Sequence, residues 1–279
     1  MKIKHTLLAL VYGYSLSFNI FSETTDSTHS CSNEIWPEGI KCVVSLSYDD
    51  GLPVHYELVA PLLEAYDMRA TFYLFIKDLE HYEKWKEVAA KGHELGNHSL
   101  FHPCRRYEGY ESWLAEYYDL RHYSPGRFRD ELMITNKFLS LLDGGKPRTY
   151  GNTCMNLTIG MGDEEIPMDP ILDELFVAAR GTITNKPIHP HNPTYTRLGH
   201  YGGDGKTFEQ IRDEIEYARA TGGWVVYMFH GIGEDTHSLF INEVEHEKLI
   251  NWLNQERDSI WTAPVVDVAS YLKTKNTTE

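Results

Sequence analysis

The sequence lacks both an excess of positive charge and a long apolar segment. Lys and Arg total 26 against 41 Asp and Glu, so the 279-residue chain has a formal net charge of -15. This balance excludes the basic footprint of a nucleic-acid-binding protein and disfavours a strongly anionic partner at long range. No stretch is apolar over the roughly 20 residues that a transmembrane helix needs, so we expect no stable membrane insertion.

The N-terminus has only a short apolar stretch, which follows two positive charges. Lys2 and Lys4 precede the apolar residues 7–11, and small residues come after them. This order is typical of a secretory signal peptide, so we predict one over residues 1–22 and a secreted or periplasmic protein. The alternative interpretation is an ordinary buried N-terminal segment. The polar, Ser/Thr-rich residues 23–38 suit a linker.

Cysteine is scarce, with four residues at Cys31, Cys42, Cys104 and Cys154. In an exported protein an even number permits disulfides, and four cysteines allow three pairings. We expect a Cys104–Cys154 bridge, because the loops that contain these two residues are expected beside one site. The alternative is four free or partly buried thiols.

Short apolar runs alternate with helical patterns from about residue 39 onward. The predicted strands are Cys42–Ser47, Ala70–Phe75, Glu94–Asn97, Ala179–Ile183, Trp224–Phe229 and Ile260–Thr262. Ser124-Pro125 predicts the start of a helix that stops at Gly144, and Thr207-x-x-Gln210 is the capping box of another. This alternation predicts an α/β protein with a mostly parallel sheet, open or closed into a barrel. A single domain over residues 39–275 is the simplest organisation.

Acids and histidines follow two of the predicted strands. Asp49 and Asp50 end the first strand, and His98 and His102 follow the third. The two histidines are four residues apart, so on a helical turn they would share one face. Two imidazoles and one carboxylate form a metal-ligand set that leaves a position open for water. The third ligand is Asp49 or Asp50, and the other carboxylate is a candidate base, which indicates a hydrolase that activates water.

We expect two more polar residues near these acids and histidines. In α/β folds of this type, active-site residues lie at the carboxyl ends of the strands. Arg180 lies within one predicted strand, and His230 directly follows another. For His230 alone, a strand-end histidine satisfied by hydrogen bonds is the alternative. We expect no metal role for the remaining histidines, of which His237 lies near His230 in sequence and near the cleft.

The motifs Ser47-Tyr-Asp-Asp-Gly51, His98-Ser-Leu-Phe-His102 and Met228-Phe-His230 resemble those of the polysaccharide deacetylase family. This family is also called carbohydrate esterase family 4 or the NodB-homology domain, and the resemblance covers nearly all of residues 39–275. It implies a distorted (β/α) barrel with about seven parallel strands. It also implies that Asp49 is the base, that Asp50, His98 and His102 hold the metal, and that His230 is the general acid.

The third motif departs from the family pattern. Residues 148–155 replace an Arg-Pro-Pro-Tyr-Gly-like sequence, and Gly151 stands where an arginine normally orients the base. We expect Arg180 to supply that charge, with a surface or substrate-facing arginine as the alternative. The Cys154 N–H is the candidate donor to the oxyanion.

Six aromatic residues lie between Arg105 and Tyr123, directly after the metal histidines. Aromatic faces stack on sugar rings, and we expect Trp113 to be a sugar platform. The alternative is that these rings pack an insertion against the barrel.

The resemblance implies an exported, metal-dependent deacetylase that acts on an acetylated glycan. We expect an N-acetylglucosamine polymer of the chitin or peptidoglycan type, with O-acetylated xylan second. A non-catalytic carbohydrate-binding relative and a hydrolase of small cyclic amides are the other hypotheses. Zinc is the expected cation for the two-histidine, one-aspartate set, with cobalt or nickel as alternatives.

Overall fold

The computed structural model describes residues 35–107 and 113–277, and its centre is a parallel β-barrel. The predicted signal peptide and most of the predicted linker lie outside the described residues. The strands are β1 Cys42–Asp49, β2 Thr71–Leu74, β3 Glu94–Asn97, β4 Tyr150–Gly151, β5 Thr158–Ile159, β6 Ile166–Pro167, β7 Ala179–Ile183, β8 Leu198–Gly202, β9 Trp224–Phe229, β10 Gly231–Ile232, β11 Phe240–Ile241 and β12 Ile260–Thr262.

The barrel closes because β1 pairs along its length with β9. Seven parallel strands form the ring in the order β1, β2, β3, β4, β7, β8 and β9. The other edge of β1 is shared, since residues 42–44 pair with β12 and residues 47–49 pair with β2. The predicted seven-stranded (β/α) barrel is therefore confirmed. The sequence allowed an open sheet or a closed barrel, and the structure has the closed barrel.

Helices cover the outside of the barrel, and their ends follow the capping chemistry of the sequence. They are α1 Ala60–Ala65, α2 Tyr82–Ala90, α3 Pro125–Asp143, α4 Asp169–Leu175, α5 Phe208–Thr221, α6 Glu243–Gln255 and α7 Val265–Asn276. Ser124 caps α3 and Gly144 ends it with a φ of 78°, while the capping box of Thr207 and Gln210 opens α5. Both predicted helix signals are confirmed. None of the helices in the described ranges has the length and apolar character to span a bilayer.

Two barrel strands escaped prediction. β4 has only two residues, and β8 contains two glycines among its five residues, so neither has the apolar run of a buried strand. Their parallel neighbours supply the pairing that defines them, since β4 lies between β3 and β7 and β8 lies between β7 and β9.

The domain begins before residue 39. Ile35 and Trp36, which the prediction placed in the linker, are each 4% exposed and pack against β9 and α7 residues. Trp36 Nε1 donates to the Gly222 carbonyl at 2.9 Å, and the Tyr271 hydroxyl donates to the Ile35 carbonyl at 2.6 Å. The aromatic and aliphatic side chains of these two residues explain the difference, because their burial holds residues 35 and 36 against the barrel.

Glu94, the first residue of β3, connects this strand to β2, to the residue before β4 and to α7. It lies at the end of the barrel opposite to the carboxyl ends of the strands. Its carboxylate accepts the Thr71 and Thr149 hydroxyls and the Thr149 and Val266 N–H groups, at 2.6–3.1 Å. Burial raises the pKa of Glu94, and these donors act against that rise. A buried carboxylate is tolerated here because its oxygens are satisfied by hydrogen bonds.

We expect Glu94→Leu to lower the free energy of unfolding by on the order of 3 kcal/mol, because it leaves two buried backbone N–H groups without an acceptor. Urea unfolding followed by circular dichroism measures the change. Glu87→Leu, at an exposed position of α2, is the matched control and should have a much smaller effect. Equal losses in the two variants would contradict this role of Glu94.

Candidate active site

The base predicted from the sequence lies inside the barrel mouth, bound to an arginine from another strand. Asp49 is the last residue of β1 and is 2% exposed, while Arg180 on β7 is 1% exposed. The Arg180 guanidinium donates to Asp49 Oδ1 at 2.7 Å, to Asp49 Oδ2, and to Ser47 Oγ at 2.8 Å. Arg180 is therefore not a surface residue, and its fork holds both oxygens of Asp49 in place.

The ion pair keeps Asp49 ionised in a buried position. Burial raises the pKa of this carboxyl, but the charge of Arg180, together with His98, outweighs the burial effect and brings the pKa below its ordinary value. A carboxylate held ionised and immobile can accept a proton without first losing its own.

Gly151 explains why the arginine comes from β7. A Cβ at position 151 would lie 2.8 Å from the Tyr73 ring, so no side chain fits there. Gly151 is the register partner of Arg180 on the neighbouring strand, and the Arg180 guanidinium lies over the Tyr73 ring at 4.7 Å. The charge expected at position 151 is thus supplied at the same height of the barrel by the next strand.

Asp50 leaves the strand and turns towards the histidines. The alternation of a strand would point Asp49 and Asp50 in opposite directions, but Asp50 has a left-handed φ of 76°. Its Oδ1 lies 3.6 Å from Nε2 of both His98 and His102, and it is buried without a hydrogen-bond partner. Candidate ligand atoms of all three residues lie within 4.8 Å of one another.

This donor set fits a divalent cation. It offers two imidazole nitrogens and one carboxylate oxygen, and the orphaned oxygen faces both rings. Burial, followed by the neighbouring His98, lowers the pKa of His102 to about 4, so this ring is neutral at physiological pH. Neutral imidazole is the form that binds a metal.

The histidine pair does not lie on a helical turn, so that expectation was wrong. Residues 98–102 form an irregular loop in which Ser99 and His102 have φ values of 67° and 52°. The Ser99 N–H donates to Asn97 Oδ1 at 2.7 Å, and the His102 N–H donates to Ser99 Oγ at 2.9 Å. These side-chain bonds turn the chain back and bring the two rings to a centroid distance of 4.9 Å.

The backbone of β4 fixes the tautomer of His98. His98 Nδ1 lies 2.7 Å from the Gly151 carbonyl, which can only accept a hydrogen bond. Nδ1 therefore carries the proton and leaves the Nε2 lone pair towards Asp50 and His102. Gly151 thus contributes its backbone carbonyl to the site, although it has no side chain.

A disulfide joins the loops that follow β3 and β4. Cys104 and Cys154 are bonded, with a Cα–Cα distance of 5.7 Å, which confirms the expected pairing. The buried Cys42 is a free thiol. Cys154, the candidate oxyanion donor, has a left-handed φ of 49°, as does Met155 with 56°. The bridge holds this strained turn beside the segment that carries His102.

His230 has an acidic partner that the sequence analysis missed. Its Nδ1 lies 2.7 Å from Asp204 Oδ2, and its N–H donates to Asp204 Oδ1 at 3.0 Å. Burial lowers the pKa of His230, but the bond to Asp204 and the charges of Asp49, Asp204 and Asp50 raise it overall. The sequence signal for Asp204 is an acid two residues after the glycine-containing strand β8, and it was missed because β8 itself was not predicted.

Trp113 lies at the edge of this cluster, with 54% of its surface exposed. Its ring centroid is 6.3 Å from that of His102. Beyond it, Tyr118 stacks on Phe101 at 4.8 Å, which is packing of the insertion as the alternative interpretation expected. Trp113 and the 64% exposed Tyr117 leave aromatic surface beside the site.

The fold and the cluster together define a (β/α)-barrel protein with a polar site at the carboxyl ends of its strands. Residues 38–152 match the family model described as "Polysaccharide deacetylase". This match covers less than half of the chain, and it confirms the resemblance to the family that was drawn from the motifs.

Two curated relatives match over different lengths. A peptidoglycan-N-acetylglucosamine deacetylase of Bacillus cereus is 26% identical over 110 residues, which are 39% of this chain and 34% of that protein. A gellan lyase of a Bacillus species is 21% identical over 266 residues, or 87% of this chain but 10% of that protein. The chain thus spans about a tenth to a third of the length of these relatives.

Solved structures share the fold. A putative polysaccharide deacetylase from Mycobacterium smegmatis superposes with a TM-score of 0.60 at 16% identity, covering 86% of this chain and 93% of that one. An allantoinase superposes with a TM-score of 0.55 at 15% identity, covering 86% and 92%. At these identities the likeness is one of architecture.

We expect Arg180→Met to lower the free energy of unfolding by about 3–5 kcal/mol, because Asp49 stays buried without its counter-charge. The double variant Asp49→Asn/Arg180→Met should lose clearly less, since no charge then remains buried. Urea unfolding in the presence of a chelator measures both.

The pH dependence has a defined sign. The pKa of Asp49 is lowered in the folded state, so the pair stabilises the wild type above the unfolded carboxyl pKa of about 3.9. That contribution is lost as the pH falls through the folded value, and Arg180→Met should lack it. An Arg180→Met variant as stable as the wild type would refute this account.

Proposed function

We propose that the protein is a metal-dependent hydrolase that removes acetyl groups from a polysaccharide or oligosaccharide. The observation that carries the proposal is the convergence of Asp49, Asp50, His98 and His102 at one end of the barrel, with His230 beside them. The match of residues 38–152 to the polysaccharide deacetylase family model supports a hydrolase that acts on acetylated carbohydrate. An N-acetylglucosamine glycan of the chitin or peptidoglycan type is the first substrate, and O-acetylated xylan is the second.

Asp50, His98 and His102 would hold the cation, with zinc first and cobalt or nickel as alternatives. A bound divalent metal would lower the pKa of water and stabilise negative charge on the acetyl oxygen. The neutral His102 and the Nε2 lone pair of His98 support this assignment.

Asp49 is the proposed base, and it takes a proton from the attacking water. Its position is supported by the 3.8 Å distance from Asp49 Oδ2 to His98 Nε2, which places it beside the ligand set. Arg180 acts through Asp49 as a positioning residue, because its guanidinium holds both carboxylate oxygens.

His230 is the proposed acid, and it protonates the departing amine or hydroxyl. Asp204 binds Nδ1, which leaves Nε2 as the nitrogen that donates the proton. An amide leaving group needs this proton, because an unprotonated amine leaves poorly. The raised pKa of His230 supports the role, since it keeps the ring protonated to higher pH.

Cys154 N–H is the proposed oxyanion donor, and Trp113 is the proposed sugar platform. The Cys104–Cys154 disulfide supports export to an oxidising compartment, in agreement with the signal peptide predicted over residues 1–22. We therefore propose a secreted or periplasmic location.

The test is acetate release from a chitin oligomer, an acetylxylan and a peptidoglycan fragment, measured on metal-loaded protein. We expect release from one of them and its loss with a chelator. Asp49→Asn should lower the rate about 10²–10⁴-fold, because the proton acceptor is lost, and it should keep metal binding, because Asp49 is not one of the proposed ligands. His98→Ala should lose both activity and metal, and His189→Ala, at an exposed position, should lose neither.

Three results would redirect the proposal. Near-normal turnover of Asp49→Asn would exclude it as the base. A metal-loaded wild type that binds these glycans but releases no acetate would favour the carbohydrate-binding alternative, and ring opening of a small cyclic amide without acetate release would favour the third hypothesis.

The Asp204 contact predicts a change in the pH profile. Asp204→Asn removes the charge that raises the pKa of His230, so the alkaline limb of kcat/KM should move to lower pH. Asp235→Asn makes the same change at an exposed loop position and should leave the limb in place. An unmoved limb in Asp204→Asn would show that His230 is not the group that must be protonated.

A further inference from the structure

His237 lies beside the proposed acid, His230, and beside the proposed metal ligand Asp50. It lies in the loop between β10 and β11, and its ring stacks on that of His230 with a centroid distance of 5.2 Å and an interplanar angle of 11°. Its Nε2 lies 3.9 Å from Asp50 Oδ2. From the sequence alone, His237 is expected near the cleft and has no assigned role.

The backbone of the same loop sets the tautomer of His237. The Leu239 N–H donates to His237 Nδ1 at 3.1 Å. The Leu239 carbonyl also lies 3.1 Å from Nδ1, but it already accepts the Gly231 N–H at 2.9 Å. With Nδ1 as the acceptor both Leu239 groups are satisfied, so in the neutral ring the proton is on Nε2 and faces Asp50.

Packing holds the ring in this position. A Cβ on Gly231 would lie 2.4 Å from Thr236 Oγ1 and 3.0 Å from His237 Cβ, so the loop fits closely against the chain after His230. The Thr236 hydroxyl in turn donates to the Gly233 carbonyl at 2.8 Å. The loop therefore fixes the position of the His237 Cβ beside the chain that follows His230.

The two oxygens of Asp50 face different partners. Oδ1 points at His98 and His102, each at 3.6 Å, whereas Oδ2 points at His237. We propose that His237 is a positioning residue that binds Oδ2 of Asp50 and so presents Oδ1 to the cation. At 3.9 Å the direct bond forms after a small rotation of either side chain. The inference rests on the proposed metal site.

Such a contact has a known physical effect. A ligating carboxylate that is hydrogen-bonded from outside the ligand set is oriented before the metal arrives, and loss of that partner weakens metal binding. The backbone φ of 76° at Asp50 orients the start of the side chain, but its carboxylate still rotates. His237 removes that freedom.

The experiment measures Zn²⁺ affinity by competition with a chromogenic chelator at one pH. We expect His237→Ala to bind Zn²⁺ about 10–100-fold more weakly than the wild type. His237→Gln keeps an N–H donor at a similar reach and should recover most of the affinity. His189→Ala is the matched histidine control and should equal the wild type. Unfolding midpoints of the metal-free variants show whether each is folded.

The outcomes separate this inference from the proposed function. Equal Zn²⁺ affinity of folded His237→Ala and the wild type would overturn the inference alone. Failure of His237→Gln to recover affinity would also overturn it, because the effect would then not come from the N–H donor. The predicted affinities in a protein that releases no acetate would support the inference and refute the proposed activity. A wild type that binds none of Zn²⁺, Co²⁺ and Ni²⁺ would refute both.

Discussion

The buried ion pair of Asp49 and Arg180 is the interaction on which the site depends. β1 and β7 lie on opposite sides of the barrel ring, so the pair crosses the interior and joins two walls. The surrounding low-dielectric interior makes each partner costly without the other. The same pair holds the candidate base ionised and in one orientation, so barrel closure and the protonation state of Asp49 are coupled.

The position of this arginine follows from how the barrel is filled. The Tyr73 ring occupies the space beside two glycines, Gly96 and Gly151, where a Cβ would come within 2.4 Å and 2.8 Å of it. An arginine on β4 would displace that ring. By placing the arginine one strand further on, at the same register, the chain keeps both the aromatic filling and the charge. The arginine that pairs with Asp49 therefore comes from β7.

Around this pair, three histidines of the site are oriented by hydrogen bonds to β4 and to loop residues. Gly151 C=O sets the ring of His98, Asp204 sets that of His230, and Leu239 N–H sets that of His237. The disulfide adds a covalent connection between the loops after β3 and β4. Each candidate catalytic side chain thus has a partner that fixes its orientation, which is what a preorganised site requires.

The sequence by itself determined the local features. The apolar runs of β1 and β9, the caps of α3 and α5, and the acids and histidines at strand ends all depend on neighbouring residues, and motifs of this length carry them. The disulfide could also be predicted from the sequence, because its cysteines lie near the motif residues. Only the tertiary structure decided the rest. β4 and β8 exist through pairing with their neighbours, Asp204 meets His230 across 26 positions, and Arg180 meets Asp49 across 131. Contacts between residues so far apart arise from barrel closure, and no local pattern of residues encodes them.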